Sequence, residues 1–163
     1  MAQIYISVGS NIEPEKYTRI AAEQLQAVFG ELTLSSVYLS EAVGFNGNDF
    51  LNLVVGAQTD LSIDEVVAVF KRIEVDNGRK PTAIKFSART LDLDLLLYDD
   101  VVCQSPVRLP RAEITFNAFV LWPLAEIAPD LMHPEVNKSY QQLWRDYDKT
   151  SQTLKPIDFK WKL

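Results

Sequence analysis

Leu91, Leu93, Leu95 and Leu97 alternate with other residues, and two of the intervening positions are Asp92 and Asp94. Residues two apart on a strand share a face. The period therefore predicts a strand over residues 90–98, with four leucines towards a core and two aspartates side by side on the opposite face. Aspartate is a poor strand former, and neighbouring like charges repel. Such a pair is either solvated on an open sheet face or held by a cation. A hard divalent ion such as magnesium takes one or two carboxylates together with waters and phosphate oxygens. The stretch feeding the strand carries Arg79, Lys80, Lys85 and Arg89. Cations beside metal-binding carboxylates favour a magnesium–polyphosphate site over a solvated pair. The sequence has no Walker-type glycine loop and no GxGxxG, so side chains would have to hold the phosphates.

The rest of the chain supplies the frame. Residues 3–8 alternate and reach a turn at Gly9-Ser10-Asn11. Ser10 and Glu13 have capping-box spacing, and Pro14 suits a first helical turn. The expected helix runs to about Phe29 and stops at Gly30. Residues 32–40 read as a second strand, 41–49 as a loop, and Phe50–Thr59 as a third strand antiparallel to the second. Ser62 and Glu65 cap a second helix whose apolar stripe is Val66, Val69, Phe70 and Ile73; Gly78 ends it. Residues 79–88 read as a polar, basic loop. Residues 116–127 look helical but contain Pro123, which predicts a break or kink. A short helix over 140–147 and a last strand over 157–161 come after it. The order β-α-β-β-α-β predicts an α+β, ferredoxin-like antiparallel sheet with its helices on one face and the C-terminal helices and strand added to it. Nothing in the composition suggests a linker, so one domain is expected over residues 1–163.

Charge and composition narrow the function. Sixteen basic and 22 acidic residues give a net charge of −6, which argues against a general nucleic-acid binder but not against a small anionic ligand. An RNA-binding ferredoxin-like domain shows aromatics on its open sheet face, where this chain places Asp92 and Asp94. Cys103 is the only cysteine, so no intramolecular disulfide forms. No signal-peptide pattern and no long apolar run is visible, so a cytoplasmic protein without a membrane partner is expected. His133 reads as structural, and Trp122, Trp144 and Trp161 as packing residues.

The run RTLDLDLLLY resembles the signature of the 6-hydroxymethyl-7,8-dihydropterin pyrophosphokinases of folate biosynthesis. YISVGSN at 5–11, FLN at 50–52, RIE at 72–74 with GR at 78–79, and FVLWPLAEIAPDLMHP at 119–134 occur in that family's order. The resemblance implies transfer of pyrophosphate from ATP to the pterin hydroxymethyl group, with attack at the β-phosphorus, release of AMP and two magnesium ions. Carried over by position, Asp92 and Asp94 are the metal ligands and act in catalysis with Arg79 and Arg89. Lys71, Glu74, Arg79, Phe86, Arg89, Leu95 and Arg111 fall on the ATP side. Ser40, Val43, Gly44, Phe50, Asn52, Phe86 and Phe119 fall on the pterin side. Bland alternatives stand beside these roles: Phe50 and Phe119 as core aromatics, Asn52 as a strand-end cap, Glu74 as a solvated helix residue, Arg79 as a helix C-terminal cation.

The segment LPRAEITFNAFVL departs from the family pattern. Arg111 stands where a histidine is usual, Ala112 where an aromatic or proline is common, and Asn117 where an arginine is usual. An arginine-to-asparagine change removes a full charge and a bidentate donor. Three outcomes fit: a pyrophosphokinase with a rearranged phosphate clamp, a paralogue acting on a related pterin, or a pterin binder without turnover. Retention of both aspartates favours the first.

Overall fold

In the computed structural model, which describes residues 1–40, 49–78 and 90–161, strand β1 (Ala2–Ser10) runs through an antiparallel sheet. Helix α1 (Pro14–Phe29), strands β2 (Thr33–Leu34), β3 (Val37–Ser40) and β4 (Phe50–Thr59), helix α2 (Ile63–Asp76) and strand β5 (Asp92–Tyr98) come next. A 3-10 turn (Ala112–Thr115), helices α3 (Ala118–Ile127) and α4 (Tyr140–Asp146) and strand β6 (Leu154–Ile157) complete the described chain. The strand order is β5-β1-β4-β3-β6, with β2 paired to β4. Its first four members give the ferredoxin-like order, with β6 added beside β3.

Alternation along β1 and β4 builds two cores. On one face, Ile4, Ile6, Val8, Leu53 and Val55 meet Ala21 and Leu25 of α1 and Val66, Phe70 and Ile73 of α2. Each fully buried aliphatic side chain contributes roughly 2 kcal/mol. On the other face, Val54 meets Ile114, Val120, Leu121 and Leu124. The expectation of helices on one face therefore holds for α1 and α2 alone; α3 and α4 cover part of the second.

Strand β5 departs from simple alternation. Leu95 pairs with Ile6 and Leu97 with Tyr5, leaving Leu96 as the extra residue of a bulge. A bulge reverses the facing of the residues beyond it. Leu91, Leu93 and Leu95 lie in the first core as expected, but Leu97 joins Leu96 in the second. Tyr98 turns back towards the first core, and its hydroxyl donates to the Leu61 carbonyl at 2.6 Å.

Other expectations shift at element ends. The residue capping α1 is Glu13, at φ 43°, and it makes no side-chain cap bond; the Ser10 hydroxyl donates to the Ile12 carbonyl instead. The Ser62–Glu65 capping box of α2 is formed in both directions. The second strand is split because Ser36 turns away from β4: its N–H and hydroxyl donate to the Glu126 carboxylate, which also accepts from Tyr38 at 2.6 Å. Burial, then Glu126, raises the Tyr38 pKa. Helix α3 continues through Pro123. Burial of Val120, Leu121 and Leu124 at roughly 2 kcal/mol each outweighs the ~3 kcal/mol cost of an interior proline. The last strand lies at Leu154–Ile157, ahead of the predicted 157–161. Beyond it Phe159 and Trp161 pack on the first core, and the Arg19 guanidinium donates to the Lys160 carbonyl at 2.6 Å.

Candidate active site

The second sheet face carries a row of residues set by strand register. Asp92 pairs with Gly9, Gly9 with Asn52, and Asn52 with Tyr38. One step along, Asp94 pairs with Ser7 and Ser7 with Val54. Asp92 and Asn52 are thus separated by two strand spacings, about 9.6 Å, with only the bare backbone of Gly9 between them. A Cβ at Gly9 would stand 3.0 Å from Asn52 Oδ1 and 3.9 Å from Phe50 Cδ1. The missing side chain therefore gives Asn52 Oδ1 room to lie against the β1 backbone, on the side of the aspartates.

On the amide side, Asn52 is buried and its Nδ2 donates to Ser40 Oγ at 2.8 Å. That bond fixes the amide with its oxygen turned to Gly9. Phe50, half-buried, stands beside the same glycine. Phe119 lies on α3, half-exposed, among residues packed on the second core. The structure thus gathers Ser40, Phe50 and Asn52 beside Gly9 and places Phe119 on the helix covering that side of the sheet.

On the aspartate side, Arg111 Nη2 lies 2.9 Å from Asp94 Oδ1, and Arg111 Nε lies 3.1 Å from Glu113 Oε2. The Arg111 N–H also donates to the Leu96 carbonyl at the bulge, at 3.0 Å, which anchors the segment beside β5. Burial by itself disfavours the Arg111 cation. Asp94, Glu113 and, more weakly, Asp92 outweigh it and raise its pKa. Among the described residues no group of three or more His, Cys, Asp or Glu side chains is placed to hold a metal. Two carboxylates on one strand still suit magnesium, which fills its shell with water and phosphate oxygens.

The remaining ATP-side residues are dispersed. Glu74 is 7% exposed, and its carboxylate accepts the Leu93 N–H at 2.8 Å; it holds the edge strand β5 onto α2. Lys71 is exposed on α2. The Leu95 side chain is buried in the first core, so a ligand can reach this residue only through its main chain. Val43, Gly44, Arg79, Phe86 and Arg89 lie outside the described residues.

Three contributors were not singled out from sequence. Ser7 faces Asp94 and Gly9 faces both Asp92 and Asn52, and only strand register reveals either. Gln152 is the third. Its Nε2 donates to Asn117 Oδ1 at 3.1 Å, and its Oε1 accepts from the Ala118 N–H and from Tyr147 Oη. The side chain thereby caps the N-terminus of α3 in place of Asn117 itself, which makes no cap bond.

The profile of the family described as 7,8-dihydro-6-hydroxymethylpterin-pyrophosphokinase (HPPK) matches residues 5–129. The chain is 35% identical over 160 residues to the 2-amino-4-hydroxy-6-hydroxymethyldihydropteridine pyrophosphokinase of Aquifex aeolicus, covering 96% of both chains. It is 35% identical over 156 residues to the protein of the same name from Synechocystis, covering 90% of this chain and 76% of that one. Its fold resembles that of the wild-type Plasmodium falciparum HPPK-DHPS crystal structure, with a TM-score of 0.72 at 12% identity. That match takes in 90% of this chain and 44% of the other.

Proposed function

The chain belongs to the 7,8-dihydro-6-hydroxymethylpterin-pyrophosphokinase family, and from that membership we propose how its second sheet face carries out the family's reaction. The reaction is transfer of pyrophosphate from ATP to hydroxymethyldihydropterin in folate synthesis. The observation that carries the assignment of roles is the register across Gly9, with an oriented amide on one side and the two carboxylates on the other.

The pterin edge binds at Asn52, whose amide offers donor and acceptor and is held by Ser40. Phe50 and Phe119 supply aromatic surface, with Phe86, Val43 and Gly44 completing the pocket. The alignment of Asn52, Gly9 and Asp92 across the strands directs the hydroxymethyl group towards Asp92 and Asp94. These carboxylates would hold magnesium, two ions in all, which would neutralise phosphate charge and lower the pKa of the acceptor hydroxyl. The hydroxymethyl oxygen bonds to the β-phosphorus, and the bond from that phosphorus to the α–β bridging oxygen breaks. AMP leaves and the hydroxyl proton passes to solvent. Arg79, Arg89 and Arg111 bind the phosphates as charge spreads over them. Lys71, Glu74 and the Leu95 main chain border the nucleotide. Catalysis is mainly positioning and charge stabilisation, so the reaction needs no catalytic histidine.

We take residues 1–163 as one pterin-pyrophosphokinase domain acting in the cytoplasm on small molecules, without a nucleic-acid partner. No helix among the described residues is long and apolar enough to cross a membrane. The deciding experiment is AMP release from ATP and magnesium with and without 6-hydroxymethyl-7,8-dihydropterin. Pterin-dependent AMP without ADP is expected. Pterin binding without AMP would move the protein to a non-catalytic role.

A further inference from the structure

We propose that Arg111 is a built-in counter-ion of the carboxylate pair, one that makes divalent-metal binding depend on the nucleotide. This rests on the reading of Asp92 and Asp94 as the metal pair. A guanidinium Nη2 at 2.9 Å from Asp94 Oδ1 occupies the position from which a metal would approach that oxygen. The metal competes with Nη2 for this carboxylate, and it faces a like charge close by. A free divalent ion therefore binds against both a weakened ion pair and a repulsion.

ATP removes both obstacles because it brings anionic oxygens to the same place. The second contact explains how the exchange works without losing the cation. Arg111 Nε is held by Glu113 Oε2 at 3.1 Å, and its main-chain N–H by the Leu96 carbonyl at 3.0 Å. These anchors remain when Nη2 leaves Asp94. The guanidinium pivots about Nε, and its planar, forked donors suit phosphate oxygens. Arg111 is thus a positioning residue for Asp94 before the nucleotide binds and a phosphate ligand afterwards. Arg111 and Asp94 are about one-quarter to one-third exposed, so the exchange needs no opening of the core.

The test is binding of Mn2+, a spectroscopic probe for the magnesium site, to the nucleotide-free protein, followed by electron paramagnetic resonance. The wild type is compared with Arg111→Gln, Glu113→Gln and Asp94→Asn, each checked for folding by circular dichroism. Arg111→Gln is expected to bind Mn2+ about tenfold more tightly than wild type without nucleotide, the scale of one partly exposed charge-assisted pair plus the relieved repulsion. With a non-hydrolysable ATP analogue present, that advantage disappears or reverses. Glu113→Gln is expected to keep wild-type Mn2+ affinity without nucleotide and to bind the analogue more weakly. Unchanged or weaker Mn2+ binding in Arg111→Gln, with binding lost in Asp94→Asn, overturns the counter-ion role alone. Full Mn2+ binding in Asp94→Asn overturns the metal assignment beneath it.

Discussion

Gly9 sits opposite Asn52 on the neighbouring strand, so close that a Cβ at Gly9 would stand 3.0 Å from Asn52 Oδ1. That distance is tighter than ordinary van der Waals contact, and the amide is tethered to Ser40 on its other side. Gly9→Ala therefore pushes the amide out of register with its ligand. Pterin affinity is expected to fall about tenfold, the scale of one misdirected hydrogen bond, with little change in ATP affinity. In an Asn52→Ala background the added methyl meets no oxygen and costs little further. Titration of pterin fluorescence against the single and double variants tests this; additive losses would disprove the steric link.

Asp92→Ala and Asp94→Ala are each expected to lower kcat by at least about a thousandfold, because a missing metal ligand removes charge stabilisation at the transferring phosphate. The fold is expected to survive, since both side chains are only half-buried and Arg111 keeps Glu113 as a partner when Asp94 is removed. AMP release and circular dichroism measured on the same preparations distinguish chemistry from unfolding. Activity near the wild-type level in either variant rules out the pair as the metal site.

Glu74 joins α2 to the edge strand through the Leu93 N–H. Glu74→Ala leaves a buried donor without this acceptor and is expected to destabilise the chain by about 2 kcal/mol. Glu74→Gln keeps a carbonyl oxygen and is expected to lose less. Urea unfolding measures both. If Glu74→Gln raises the KM for ATP without lowering stability, the residue meets the nucleotide directly rather than through the strand.

Asn117→Arg would restore the charge usual in the family at that position, but the structure predicts no benefit. The substitution removes the Gln152 contact and puts a cation at the positive end of α3. A loss of about 1 kcal/mol is expected, with ATP affinity no better than wild type. Improved ATP affinity in calorimetry would show that the segment around Gln152 yields its place readily.

His133 is 3% exposed, and its Nδ1 accepts the N–H groups of Glu135 and Val136 at 3.1 Å each. Burial lowers its pKa below 6.5; Glu135 opposes the shift and Arg108 adds to it. The folded chain thus binds the proton less readily than the unfolded chain. The stability this supplies is fully present above the unfolded pKa, and it is lost as pH falls from 6.5 towards the depressed folded value. His133→Ala is expected to lose about 2 kcal/mol at neutral pH from the unsatisfied amides, with a flatter dependence of Tm on pH below about 6.5. Parallel slopes for the two proteins would exclude His133 as the titrating group.

The order of elements, the ferredoxin-like sheet, the first core and the Asp92–Asp94 face were all legible in the residues alone, because period-2 and helical patterns are local and burial enforces them. So was the Ser62–Glu65 cap, whose two partners are three residues apart. Features that depend on residues distant in the chain came only with the packed fold. Register set Gly9 between Asp92 and Asn52. The bulge at Leu96 sent Leu97 to the opposite core, although the leucine alternation placed it with Leu91. Glu126 drew Ser36 off the sheet from ninety residues away. Arg111, marked by sequence as a departure on the ATP side, found Asp94 seventeen residues back. A side chain's partner across the fold is set by packing of whole elements, which leaves no periodic trace in the residues themselves.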